Sequence, residues 1–203
     1  MPTVIAMKRW VSWIGVLALA LLAATEGWGA AELRPTQLVL SAKDVGGPYV
    51  PNRSMTLSWT LRERTDGFPQ PLRRELAAKW VAGAQAGFDG SDAVAHQAIL
   101  STADLFRTSD VSRIVESWQG MFLRYGRGTR LRIPASAPAG ASRFLMRGRM
   151  LSHGTKLEVI LYLWRHDRAV LSVWLIGKPG IPRLPHLMVL ASRQDSKLAR
   201  ARR

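Results

Sequence analysis

The sequence has no cysteine among its 203 residues, and this absence excludes several kinds of site. The chain cannot form disulfides, thiolate metal sites or the lipid-modified cysteine of a bacterial lipoprotein. A domain without disulfides has to be stable through its hydrophobic core alone. About 170 residues are enough for this, because a domain of that size buries roughly 70% of the surface of its unfolded chain.

Histidine is scarce, and its spacing does not favour a metal site. His96, His153, His166 and His186 fall in different predicted elements, and no two have the four-residue spacing that places two imidazoles on one helix face. His166 precedes Asp167, but this pair lies at a predicted hairpin turn facing solvent, and no nucleophile accompanies it. We therefore expect no catalytic residue, no metal and no cofactor.

Two turns that contain glycine carry weaker signals of ligand binding. Gly46, Gly47 and Pro48 lack the strand–glycine–helix order and the lysine of a phosphate-binding loop. Asp89 and Asp92 flank a glycine, but the other oxygen ligands of a calcium loop are missing.

Five tryptophans lie on predicted apolar faces, where aromatic rings fill core volume more often than they stack on carbohydrate. They are Trp59, Trp80, Trp118, Trp164 and Trp174.

The N-terminus has the charge and hydropathy order of a secretory signal. Lys8 and Arg9 precede an apolar run over residues 10–24, and small residues follow it up to Ala31. The run of about fifteen residues is shorter than the twenty or so that cross a bilayer, so cleavage is favoured over anchoring. A cut after residue 30 would place Trp28 at a position that must be small, and we therefore predict a cut after Ala31.

The predicted organisation is thus a signal peptide over residues 1–31 and a single domain over residues 32–203. The domain is expected outside the cytoplasm, in the periplasm, at the cell surface or secreted. An uncleaved leader would hold it at the membrane instead. Met7, just before the basic residues, is an alternative start that leaves a shorter leader.

Within the domain, apolar residues change between a period of two and a period of three to four. These patterns predict strands over residues 55–61, 94–106, 129–133, 143–151, 157–164 and 169–176. They predict helices from Leu72 to near Gly87, from Ser109 to Tyr125, and from Leu184 onward. Short polar turns separate the last three strands and indicate an antiparallel meander. We expect an α+β fold whose helices pack on one face of an antiparallel sheet.

The last predicted helix has two parts with different roles. Leu184, Leu187, Met188 and Ala191 share one face and are expected to dock on the sheet. Beyond Leu198 no apolar partner fixes the chain, so the basic end is expected to be exposed, frayed and available to anions. The candidate anion-binding residues are Lys197, Arg200, Arg202 and Arg203.

Two C-terminal segments carry a resemblance to a known fold. Trp164–Val170 combines a basic hairpin with an apolar strand, and Leu190–Asp195 lies in the final helix. With the order of the predicted elements, these segments resemble exported bacterial proteins of the PsbP, Mog1 and LpqN-like α+β fold. The resemblance implies an accessory or binding role, and it assigns no catalytic position.

The main functional signal is charge, because 29 Lys and Arg against 14 Asp and Glu give a formal net charge of +15. Such a domain attracts polyanions, among them phospholipid surfaces, wall polymers and nucleic acid. Export disfavours nucleic acid. We predict a non-catalytic envelope protein that binds an anionic membrane surface, a wall polymer or a protein partner. The alternatives are a small-ligand pocket or a weak hydrolase between sheet and helices, and an arginine content that reflects base composition or solubility only.

Overall fold

The computed structural model describes residues 33–66, 68–91, 94, 97–152 and 154–202. The predicted signal peptide over residues 1–31 lies outside the described residues. His96, His153, Asp92 and Arg203 lie outside them as well.

The described chain is built around one antiparallel sheet of seven strands, in the spatial order β1-β2-β3-β7-β6-β5-β4. The strands are β1 Tyr49–Trp59, β2 Trp80–Gly90, β3 Ala98–Phe106, β4 Thr129–Arg130, β5 Ala141–Ser152, β6 Thr155–His166 and β7 Ala169–Gly177. The α+β class and the antiparallel sheet predicted from the sequence are confirmed.

The meander of β5, β6 and β7 is confirmed with boundaries close to the predicted ones. Ser152 pairs with Thr155 at one turn, and His166 pairs with Ala169 at the other. Two-residue turns of this kind need backbone in the left-handed region. Gly154 and Asp167 supply it, with φ values of 78° and 50°.

Six helices accompany the sheet within the described residues. They are α1 Pro35–Leu38, α2 Ala42–Val45, α3 Leu61–Thr65, α4 Gln70–Lys79, α5 Ser112–Tyr125 and α6 Leu184–Ala201. The predicted helices that end at Tyr125 and begin at Leu184 are confirmed. Gly126 follows the first of these, as expected, and its N–H bonds to the carbonyl of Phe122 at 2.9 Å.

The helices cover both faces of the sheet, so the expectation that they pack on one face was wrong. On one face, Ile160, Tyr162 and Trp164 of β6 pack in a core with α1, α2 and α6. On the other, Leu161 and Leu163 of the same strand pack in a second core with α4 and α5. Because β6 is apolar at successive positions, each of its sides needs a cover.

The helix predicted to run from Leu72 to near Gly87 ends at Lys79, and residues 80–90 form β2 instead. Alanine favours a helix, and neither alanine nor glycine is typical of strands, so the composition of this segment does not indicate a strand. Pairing with β1 and β3 on its two sides decides the conformation. Gly83 is required by the packing, since a Cβ there would lie 2.6 Å from Oδ1 of Asp104.

The end of β1 also differs from the prediction. Leu61, expected to continue the strand, begins α3. The Thr60 hydroxyl accepts from the Glu63 N–H at 3.2 Å, and the Glu63 carboxylate accepts from the Thr60 N–H at 2.7 Å. This capping box turns the chain into a short helix. The helix places Arg64 within hydrogen-bond distance of Asp104 on β3.

Candidate functional site: a basic edge of the sheet

The predicted anion-binding residue Lys197 is not free on the surface. Its Nζ lies 2.5 Å from Oδ2 of Asp44, and its side chain is only 18% exposed. Burial by itself would raise the pKa of Asp44, but hydrogen bonds from Lys197 and Ser41 outweigh burial and lower this pKa to about 2. The expectation that Lys197 is exposed was therefore wrong, because the ion pair joins α6 to α2.

The other residues of the basic tail agree better with the predicted exposure. Arg200 and Arg202 are exposed, and one guanidinium nitrogen of Arg202 donates to the carbonyl of His166 at 3.0 Å. The helix continues to Ala201, which packs partly against the core beneath α6. The expectation of a frayed end without an apolar partner beyond Leu198 was therefore wrong. Arg203 is outside the described residues. Anion binding by the tail stays a prediction.

The excess charge is distributed very unevenly along the chain. Residues 1–116 contain 12 Lys or Arg and 11 Asp or Glu, and are nearly balanced. Residues 117–157 contain eight Lys or Arg and no acidic residue. This acid-free run is visible in the sequence, and it was missed because its cations are spread over a helix, three strands and the connecting loops rather than clustered.

The structure brings most of these cations to one edge of the sheet, which we call the arginine edge. It consists of exposed side chains from the end of α5, from β4 and the chain that follows it, and from β5: Arg124, Arg127, Arg130, Arg132, Arg143, Arg147 and Arg149. The chain after α5 is fixed against β5, since the Arg149 N–H donates to the Gly126 carbonyl at 2.7 Å. In the same region Thr129 pairs with Arg147 and Arg130 pairs with Met146.

Three of the seven arginines have identified polar or ring contacts. Arg147 Nε lies 3.4 Å from Oε1 of Glu158. Arg130 donates to Oε1 of Gln119 at 3.2 Å, and its guanidinium carbon lies 5.2 Å from the centre of the Phe144 ring. Arg143 lies beside the Tyr162 hydroxyl: burial raises the pKa of Tyr162 to about 12, and Arg143 partly opposes this rise.

The other four arginines of the edge are not used in ion pairs within the described chain. No described carboxylate lies within ion-pair distance of Arg124, Arg127, Arg132 or Arg149. Guanidinium groups in this state keep their donors available for bidentate contact with phosphate or carboxylate oxygens. The arginine edge is therefore the described surface best suited to bind an anion.

Arg64 shows a different use of the same side chain. It donates to both carboxylate oxygens of Asp104, at 2.9 Å and 2.5 Å, and Asp104 also accepts from Nε1 of Trp80 at 2.9 Å. Its guanidinium carbon lies 4.0 Å from the centre of the Trp118 ring. The side chain of Asp104 is 1% exposed, so this cluster is part of the core and not a site open to solvent.

The tryptophan prediction is confirmed for three rings and is partly correct for two. Trp80, Trp118 and Trp164 are buried, at 7%, 1% and 0% exposure. Trp59 and Trp174 are partly buried and pack against the same core as α5.

His166 pairs with a residue that the sequence did not suggest. Its Nε2 lies 3.2 Å from Oδ1 of Asp195, which also accepts from Nε1 of Trp164 at 2.9 Å. The adjacent Asp167 is exposed and occupies the turn. Among the described residues, no group of three or more histidines and carboxylates is arranged to hold a metal ion.

A shallow groove of about 580 Å³ runs along the outer side of α6. Leu184, Met188 and Val189 supply its apolar surface, Arg193 supplies a charge, and Pro134 faces them from the loop before β5. This groove is the described feature that corresponds to the alternative of a small-ligand pocket.

The molecule is, in fold class, a seven-stranded antiparallel sheet with helices on both faces, and a solved structure has a similar fold. The chain is similar to the extracellular domain of PknH from Mycobacterium tuberculosis, with a TM-score of 0.50 and 10% identity, over 84% of this chain and 97% of that chain. The likeness concerns the fold alone. No protein-family model and no curated protein sequence matches the chain. No helix within the described ranges has the length and hydropathy needed to cross a membrane.

Proposed function

We propose that this chain is an exported, non-catalytic binding module that attaches to an anionic component of the cell envelope through the arginine edge. The observation that supports the proposal is the position of seven exposed arginines along one edge of the sheet. They come from a stretch of 41 residues that contains no Asp or Glu. The leader predicted over residues 1–31 and the similarity of the fold to an extracellular domain support a location outside the cytoplasm.

The physical basis is long-range attraction followed by local contact. A cluster of like charges raises the local concentration of an oppositely charged partner and accelerates its association. Guanidinium groups then donate paired hydrogen bonds to phosphate or carboxylate oxygens. Both effects weaken as salt is added, because the Debye length falls to about 8 Å at physiological ionic strength.

Binding to vesicles tests this proposal. The domain over residues 32–203 should sediment with vesicles that contain an anionic phospholipid at low salt, and should be released as salt increases. A triple variant with Arg143→Gln, Arg147→Gln and Arg149→Gln should bind markedly less. The control replaces Arg53, Arg62 and Arg74, which are exposed on β1, α3 and α4, and it removes the same net charge. Equal loss in both triple variants would contradict a role for the arginine edge.

Processing of the leader is tested separately. Intact-mass measurement on the protein recovered from its own envelope should show a chain that begins at Glu32. Changing Ala31→Trp should block the cut and leave a longer, membrane-held form. A wild-type protein that retains residues 1–31 would show that the leader is an anchor.

The groove along α6 supports a second candidate function, the binding of a small apolar ligand. A Ser192→Phe substitution places a ring in the groove, which Ser192 lines. If vesicle binding by the arginine edge is the function, this variant should bind vesicles like the wild type. If this variant binds vesicles normally but no longer fulfils the protein's role in its native envelope, the groove is favoured instead.

A further inference from the structure

Three cations of the arginine edge form a row on one face of β5. Leu145 of this strand is buried in the core beneath α6, and side chains two residues apart on a strand point to the same face. Arg147 and Arg149 therefore lie on the face of Leu145. The register confirms this placement, because Arg147 lies opposite Ile160, which belongs to the same core. Arg143 lies where the pairing of β5 with β6 is irregular, between Ala141 and Phe144, and its side chain contacts Tyr162, which is opposite Leu145 on this face.

A fourth cation extends the row onto the neighbouring strand. Lys156 of β6 is exposed and pairs with Leu151, the next residue of β5 on this face. We call Arg143, Arg147, Arg149 and Lys156 the cation row. A strand rises about 3.3 Å per residue, so Arg147, Arg149 and the Leu151 position opposite Lys156 follow one another at intervals of about 7 Å.

We propose that the cation row binds a linear phosphodiester polymer with six backbone bonds per repeat, of the glycerol-phosphate type found in cell envelopes. This inference rests on the proposed function and specifies its ligand. A residue of extended polypeptide has three backbone bonds and spans about 3.5 Å. A polymer repeat with six single bonds therefore spans about 7 Å, and successive phosphates fall opposite side chains two residues apart on the strand.

One carboxylate adjoins the row, and its contacts leave Arg143 and Arg149 without an ion-pair partner. Glu158 lies opposite Arg149 in the register, and its side chain is 12% exposed. It accepts from the Gly180 N–H at 3.1 Å and lies 3.4 Å from Arg147 Nε. Glu158 thus orients Arg147 along the strand, while the guanidinium groups of Arg143 and Arg149 have no carboxylate partner among the described residues.

The surroundings of the row favour a polymer without bases. Proteins that bind single-stranded nucleic acid combine a basic groove with exposed aromatic rings on which bases stack. The large exposed apolar side chain on the face of the row is aliphatic: Leu151 is 53% exposed. Tyr162, on the same face of β6, is 0% exposed and gives no stacking surface. The exposed ring of Tyr125 ends α5, which packs on the other face of the sheet.

Calorimetric titration with oligo(glycerol phosphate) of two, four and eight repeats tests the proposal, at equal concentrations of phosphate and at low salt. Affinity should rise steeply from two to four repeats, because four repeats span the row, and only slightly from four to eight. Replacing Arg147 and Arg149 by Gln should lower the slope of log K against log salt by about 0.7 for each contact removed. Replacing Arg53 and Arg74 by Gln should leave the slope unchanged.

Folding and charge are controlled within the same experiment. The double variant should keep the melting temperature of the wild type, and Arg147→Lys with Arg149→Lys should retain most of the affinity. Equal affinity for all three chain lengths, or an unchanged slope in the Gln variant, would overturn the inference. Tighter binding of oligothymidylate with the same number of phosphates would overturn the choice of polymer.

The vesicle assay separates this inference from the proposed function. If anionic vesicles bind through the arginine edge and the oligomers do not bind, the proposed function stands and the polymer assignment is wrong. If neither binds at low salt, both are wrong.

Discussion

Arginine has opposite roles in two regions of the molecule, the cluster around Arg64 and the arginine edge. Arg64 is held by both oxygens of a carboxylate that is 1% exposed and lies against the Trp118 ring. At the edge, Arg124, Arg127, Arg132 and Arg149 have no described carboxylate as partner. The first arginine is part of the buried core, whereas we expect the others to add little to stability. The difference shows that charge excess alone does not locate a binding surface, and that the pairing of each cation has to be examined.

The two edges of the sheet extend this comparison. β1 contains Pro51, and its pairing with β2 is irregular between Asn52 and Leu57, two features that discourage pairing with another chain. Arginines also protect an edge from such pairing. If this were their whole role at β5, the triple Gln variant would form oligomers, so its size should be measured together with its binding.

The largest effect should come from the Arg64 cluster. Asp104→Ala leaves the Arg64 guanidinium partly buried without its carboxylate and removes the acceptor of Trp80 Nε1. Losing one partner of a buried pair costs about 3–5 kcal/mol, which urea unfolding would measure. Arg149→Ala at the edge should change the free energy of unfolding by less than about 0.5 kcal/mol. Similar losses at both positions would remove the distinction between the two regions.

The same contrast should appear within α6. Leu187 is fully buried, so Leu187→Ala should cost about 2–5 kcal/mol. Deleting residues 200–203 should lower the melting temperature only slightly, because it removes the partly buried Ala201 and the hydrogen bond from Arg202 to His166 but leaves Lys197 and Leu198 in place. A large loss of stability on this deletion would show that the basic tail is packed against the body of the protein.

A smaller effect should separate Lys197 from the exposed cations of the tail. The pKa of Asp44 falls from 3.8 to about 2 in the folded protein, so its carboxylate stabilises the fold above about pH 4. This contribution should disappear as the pH falls toward 2. Melting curves of Lys197→Met should show a weaker dependence on pH over that range than the wild type. An Arg200→Met control should follow the wild type, and equal curves for all three proteins would contradict the ion pair.

Much of the fold could be predicted from local patterns, since α5 and α6 each have a periodicity that burial of one helix face enforces, and short polar turns separate the strands of the meander. The strand β2 could not, because Gly83 and its alanine neighbours take their conformation from the strands on both sides. The packing of helices on both faces of the sheet was not predicted. The apolar residues of β6 indicate that both faces are buried, but they do not indicate which helices bury them.

The candidate site was predicted less well than the fold. The exposed cations of the tail follow from composition, but the pair of Lys197 and Asp44 joins residues that are 153 positions apart. The arginine edge left a signal in the acid-free run over residues 117–157. Its convergence depends on contacts such as the one between Arg149 and Gly126, which sequence spacing does not show.

The most direct test of the arginine edge is the salt dependence of binding to one polyanion for three variants. These replace Arg143, Arg147 and Arg149 at the edge, Arg53, Arg62 and Arg74 elsewhere, or Arg200 and Arg202 in the tail, all by Gln. Each edge contact should contribute about 0.7 to the slope of log K against log salt. We expect the slope to fall by about 2 for the edge variant and to change little for the Arg53, Arg62 and Arg74 variant. Equal slopes for the edge and control variants would contradict a localised binding surface.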